Sequence, residues 1–183
     1  MKNTFDFDIY KAIEVVLYIA KCSSNNTMHG ISKVLYFADK KHLERYGRLI
    51  CGDSYVAMKN GPVPTGVYDL LKLVRGDLRP TFCPSKEIAD WVSSSFRLYD
   101  RFYVDALREP EIDYLSDSDV ECLDASIEAY SRLSFGKLTQ LSHDKAWQLT
   151  EQDDIMNLDH IVATFDNPMD LVDHLQDPHP GEA

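Results

Sequence analysis

Apolar positions recur three or four residues apart along most of the chain, which predicts helices, and they alternate only over residues 96–106. Ile9, Ala12, Ile13, Val16, Leu17 and Ala20 form the first stripe, with Asp6 or Asp8 placed to cap it. After the polar turn Ser23-Ser-Asn-Asn26, Thr27 is positioned as the N-cap of a second helix over 28–46. Ile31, Val34, Leu35, Ala38, His42 and Tyr46 lie on or near one face of it. Tyr36, Asp39, Lys40 and Arg45 fall toward other faces, and Gly47 supplies the left-handed stop.

Residues 54–59 carry the β-branched and aromatic content of a short strand behind the turn Gly52-Asp53. Prolines 62 and 64 lack amide donors, which takes Asn60-Gly-Pro-Val-Pro64 out of a regular ladder and predicts a stiff, exposed elbow. Pro64 or Thr65 then opens a helix through Val67, Leu70, Leu71 and Val74 that Gly76 stops, and Ser85 caps a short helix through Ile88 and Trp91. Phe96, Leu98, Phe102, Val104 and Ala106 share one face of a hairpin bent at Asp100-Arg101, which together with the strand near Val56 gives a small antiparallel sheet.

Ser116-Asp-Ser-Asp119 is a capped helix start, and Val120, Leu123, Ile127 and Tyr130 carry its stripe to an end near Phe135-Gly136. Short helices are predicted over 137–141, 144–149 and, behind Asn157, 158–165. Asn167-Pro168 opens a last one through Leu171, Val172 and Leu175, and 177–183 form a frayed tail. The pattern gives a mainly α fold over 1–183: a single helical domain with a small antiparallel β-sheet or hairpin insertion. At 183 residues the chain has material for one sizeable core.

Charge divides this picture in two. Residues 1–104 carry 15 Lys/Arg against 11 Asp/Glu, whereas 105–183 carry 4 against 19, within a net charge of −11. An acidic half repels phosphate and steers basic partners, or simply keeps the surface solvated, so direct nucleic-acid binding is not expected. The N-terminus carries carboxylates where an export signal needs a basic start, and no apolar run reaches membrane-spanning length. Cys22, Cys51, Cys83 and Cys122 form no CxxC pair, which argues against a zinc ribbon or disulfide framework and fits a reducing cytoplasm.

Catalytic motifs are missing. There is no GxSxG, GxGxxG, Walker loop, HExxH or HxxxH, and no cysteine has a base in its sequence context. Asp39 and His42, three apart on a helix, could be half of a metal site, but no further ligands are indicated and a local Asp–His hydrogen bond or an interaction surface is the commoner explanation. His143-Asp144 beside Trp147 is the best polar cluster, readable either as chemistry or as a histidine tying two short helices together. No cofactor is implied.

With these residues in view, the chain resembles the Panacea domain family, the antitoxin domain of phage-associated and SocA-like proteins. The resemblance rests on Ile31-Ser-Lys-Val-Leu-Tyr-Phe-Ala-Asp39, on Asp53 to Pro64 with its Gly-Pro-Val turn, on Leu115 to Asp119, and on Leu141-Ser-His-Asp-Lys-Ala-Trp147, covering about residues 8–150. Two departures bear on partner choice. Asn60 and Met58 stand where many members place aromatics, and Ser142 stands where many have threonine. The resemblance implies an antitoxin that neutralises a cognate protein toxin by direct binding. In the SocA branch the implied alternative is an adaptor that delivers the toxin to a cytoplasmic protease system. Tyr36, Asp39, Lys40, Lys59, Asn60, Gly61, Pro62, Val63, Pro64, His143 and Trp147 become candidates for the centre of the fold or the toxin contact. Exposed polar and aromatic groups beside a rigid loop suit recognition, which favours Tyr36, Asp39, Lys40, Lys59 and Asn60 for contact and Gly61, Pro62, Val63 and Trp147 for structure. A homo-oligomer is left open.

Overall fold

A computed structural model describes residues 5–77 and 84–166. The first helix, α1 (Ile9–Cys22), is capped by Asp8, whose carboxylate accepts from Lys11 N at 3.0 Å. Thr27 caps α2 (Met28–Tyr46) by accepting from Gly30 N, and Gly47 ends it at φ +70°. Then follow the strands β1 (Tyr55–Met58) and β2 (Gly61–Pro64) and the helices α3 (Thr65–Arg75) and α4 (Lys86–Ser95). A second hairpin, β3 (Phe96–Tyr99) and β4 (Tyr103–Ala106), leads to α5 (Asp117–Tyr130), α6 (Phe135–Ser142), α7 (Lys145–Gln148) and α8 (Leu158–Val162). The fold is mostly helical, as the periodicity predicts, and carries two small antiparallel sheets.

The centre is α2, which packs against α1, α3, α5, α6 and α8 and against β2. Ile31, Val34, Leu35 and Ala38 join the apolar faces of α1, α3 and α5, while Tyr36 and Leu43 join a second cluster with Tyr55, Ala57, Ala146, Met156 and Ile161. Helical spacing identifies the first face. It does not reveal that β1–β2, α7 and α8 cover the opposite one.

Four expectations are corrected. The segment Gly61–Pro64 does form a ladder, because in the register Met58↔Gly61, Ala57↔Pro62, Val56↔Val63, Tyr55↔Pro64 both prolines fall at positions whose missing N–H would point away from β1. The two hairpins do not share a sheet. The other edge of β1 pairs instead with residues 153–156, where Ala57 N donates to Asp154 O at 2.9 Å and Met156 N to Tyr55 O at 2.7 Å. Asp100 and Arg101 adopt φ +48° and +65°, so the second hairpin turns with its central residues in the left-handed region and leaves Phe102 exposed on the loop. In addition, α5 stops at Tyr130, five residues short of Phe135, because Ser134 caps a new helix by accepting from Lys137 N. The predicted helix at 167–175, the tail and Cys83 lie outside the described residues.

Buried ion pairs lock the elements. Asp119, at the start of α5, contacts Lys11 Nζ at 2.6 Å, Arg48 at 3.0 Å and His42 Nε2 at 3.2 Å. Burial alone would raise its carboxyl pKa, but hydrogen bonds from His42, Lys11 and Ser116 outweigh it and hold the group well below the ordinary range. Asp53 fixes β1–β2 to α3 by accepting from Gly66 N and Val67 N, each at 2.9 Å, so the hairpin enters its helix at a set angle.

Candidate functional site

On α2, Lys33, Tyr36 and Lys40 lie three and four residues apart and form one stripe beneath the β1–β2 hairpin. Lys33 is 0% exposed and donates from Nζ to the Pro62 carbonyl at 2.6 Å. That carbonyl is available because the register turns it away from β1. Gly61, at φ +96°, sits directly over the amine. A Cβ there would stand 3.1 Å from Lys33 Nζ and collide with the Ser142 hydroxyl, so the elbow can settle on α2 and α6 only with glycine at this position.

The junction between α6 and α7 meets the elbow from the other side. Asp144 caps α7 through Trp147 N, and its second oxygen accepts from Tyr36 Oη at 2.9 Å and Lys40 Nζ at 2.6 Å. His143 stacks on Trp147 with ring centres 3.6 Å apart and planes 5° apart. Trp147 Nε1 donates to Met58 O at 3.0 Å, and His29 Nε2 pairs with Thr139 Oγ1 of α6 at 3.2 Å. Trp147 and Lys33 thus hold the backbone on either side of the turn, at Met58 and Pro62, while the side chains of Lys59 and Asn60 remain exposed. An exposed loop fixed in this way loses little conformational entropy when it is bound.

Beside the elbow runs a groove of about 390 Å³, walled by Phe102 and Phe135 and floored by Met28, Met58 and Val63. Lys33, Lys59 and Arg75 also line it, with Asp153 as the opposing carboxylate. Burial lowers the Lys33 pKa to about 7, and burial together with the nearby Lys33 charge lowers His29 to about 4. At neutral pH His29 is therefore uncharged, and Lys33 is poised near its midpoint.

The expectation that Tyr36 and Asp39 are displayed for contact is overturned: they are 0% and 1% exposed, covered by the second layer. Asp39 accepts from Tyr55 Oη at 2.6 Å and Ile50 N at 2.7 Å, and burial raises its pKa to about 6 against those hydrogen bonds. His42 turns elsewhere, to Arg48 O at 2.9 Å and Ser118 Oγ at 3.0 Å. The two make neither a direct hydrogen bond nor half a metal site, and no three His, Cys, Asp or Glu side chains among the described residues come together as metal ligands. Gly61, Pro62 and Pro64 are buried, Val63, Lys40, His143 and Trp147 partly so, and Lys59 and Asn60 exposed.

A family model described as antitoxin SocA-like, Panacea domain, matches residues 31–148. The chain belongs to this family. In this Panacea-domain protein the matched span begins in the first turn of α2 and ends within α7, so it encloses the elbow, the stripe beneath it and the stacked His143–Trp147 pair. No curated protein and no solved structure matches the chain significantly. Among the described residues no helix is long and apolar enough to cross a membrane.

Sequence reasoning missed Lys33 and His29 and left Asp144 without a partner. Spacing held a signal for Lys33, which stands one turn before Tyr36 on the same stripe and interrupts the apolar run from Ile31 to Ala38. Nothing local marks His29, because its partners Thr139 and Phe135 arrive from α6.

Proposed function

We propose that this antitoxin neutralises a protein toxin by direct binding, and that the elbow Lys59-Asn60 with the adjoining groove is the contact surface. The observation that carries the reading is the pairing of exposure and rigidity. Lys59 and Asn60 project from a turn whose backbone is held by Trp147 at Met58 and by Lys33 at Pro62, with Gly61 seated against Lys33 and Ser142. Family membership supports a binding role over a catalytic one. Of the remaining candidates, Gly61, Pro62, Val63, Pro64, His143 and Trp147 set the elbow's shape, and Tyr36, Asp39 and Lys40 support it from below. The encounter is proposed to take place in the cytoplasm, within a toxin–antitoxin pair.

Co-expression with the product of each neighbouring reading frame, scored by growth rescue and co-purification, tests the reading. Rescue with a stable complex is expected, with toxin half-life unchanged by deletion of cytoplasmic proteases. Rescue that disappears with a protease would replace masking by delivery, and a complex without rescue would overturn neutralisation by binding.

A further inference from the structure

The groove beside the elbow is basic in a chain whose net charge is −11. Arg75 is engaged by Asp77, with Nε 2.7 Å from the carboxylate. Lys33 and Lys59 form no ion pair among the described residues, and the buried Lys33 amine has one neutral acceptor, the Pro62 carbonyl. This sets Lys33 apart from Lys72, which is almost as buried but is paired with Asp69 at 2.5 Å. A buried cation facing only a carbonyl carries most of its desolvation cost uncompensated, and inside low-dielectric walls its field is focused into the adjacent cleft. Around that cleft Phe102 and Phe135 are 58% and 54% exposed, and Met28, Met58 and Val63 give an apolar floor.

Resting on the toxin-binding reading, we propose that this groove receives a carboxylate side chain carried on an apolar segment of the toxin, with Lys33 and Lys59 supplying the countercharge. The aromatic walls take the flanking apolar residues, and the carboxylate is drawn toward the elbow, where Lys33 lies beneath Gly61. The titratable and charged groups facing Lys33 are His29 from its own helix, His143 from the end of α6, Lys59 from the turn, and Arg75 and Asp153 across the groove. Four of these five are basic or neutral, so an incoming carboxylate meets one like charge. Because burial leaves Lys33 partly deprotonated at neutral pH, the carboxylate favours its charged form and binding takes up a proton. Affinity is therefore highest below pH 7 and declines above it.

The chemistry can be tested with 3-phenylpropanoate as probe and 3-phenylpropan-1-ol as its uncharged counterpart, titrated into the ¹⁵N-labelled full chain. The acid is expected to shift the amides of residues 28–33 and 58–61 saturably and to bind about tenfold tighter than the alcohol. It should lose roughly tenfold in affinity between pH 6 and 9, the equivalent of about one pKa unit on Lys33. Lys33→Met should abolish the pH dependence and reduce the preference to what Lys59 supplies, while Phe102→Ser, at an exposed position, should weaken both probes. Equal binding of acid and alcohol, or full acid binding by Lys33→Met, would overturn the inference. With a toxin in hand, wild-type neutralisation that survives Lys33→Met sinks the carboxylate site and leaves the antitoxin reading standing. Failure of the wild type to neutralise sinks that reading, and the probe result still decides the groove.

Discussion

Replacing Lys33 by Met should make the protein more stable at pH 6, although it removes a 2.6 Å hydrogen bond. Two effects oppose each other. Loss of the amine leaves the buried Pro62 carbonyl without its donor, which costs about 1–3 kcal/mol. It also removes an ammonium that is 0% exposed and has no carboxylate partner, a penalty of several kcal/mol for a charge of this kind. The second effect is the larger, so the variant wins at acidic pH. The pH dependence provides a second handle. The folded pKa of Lys33 is lowered from 10.5 to about 7, so the unfolded chain binds more protons between those values and wild-type stability rises with pH across that window. From pH 6 to 9 this one group should return about 2–3 kcal/mol to the wild type and nothing to the variant. The gap between the two proteins should thus close toward pH 9. Urea denaturation at pH 6, 7.5 and 9 reads it directly, as a midpoint difference of about 1 M at pH 6 that shrinks with pH. Other titrating groups are common to both chains and largely cancel in the difference. A variant less stable than wild type at pH 6, or a difference that does not change with pH, would refute the reasoning.

Two further substitutions probe the supports of the elbow and the core. Gly61→Ala should lower stability by about 1–3 kcal/mol, because the new Cβ meets Ser142 and Lys33 at a left-handed φ of +96°; thermal unfolding measures it, and an unchanged midpoint would show that the elbow is not seated as described. Asp119→Asn should cost about 3–5 kcal/mol at pH 7 by leaving Lys11, Arg48 and His42 without their shared carboxylate. Since the folded pKa of Asp119 is depressed, that contribution is present above its unfolded value near 3.8 and is lost as pH falls below it, so the wild-type and variant acid denaturation curves should converge there.

The helices were legible because their signals are local: Thr27 and Gly47 bound α2, Ser116 and Asp119 open α5, and Gly76 closes α3. The site was legible in part. Lys59 to Pro64, His143 and Trp147 stood out as candidates and lie side by side in the fold, yet the burial of Tyr36 and Asp39 was not foreseen. Periodicity reports which face of a helix is apolar, and it cannot report that a second layer covers a polar face whose groups are satisfied across the fold, as Tyr36 is by Asp144 and Asp39 by Tyr55. The ladder at Gly61–Pro64 escaped for a related reason. Proline excludes a ladder only where its nitrogen faces the partner strand, and that depends on register, which the tertiary fold sets.

The central claim is that the elbow face binds the toxin, and charge reversal at its most exposed basic residue tests it most directly. Lys59 is exposed and without an ion pair among the described residues, so Lys59→Glu should leave the unfolding midpoint unchanged. Co-expressed with the cognate toxin, this variant should lose growth rescue and bind at least about tenfold more weakly than wild type, the penalty for placing a like charge against a carboxylate. Contradiction would come from Lys59→Glu rescuing and co-purifying as wild type does, while Glu128→Lys, on the exposed side of α5, abolishes both.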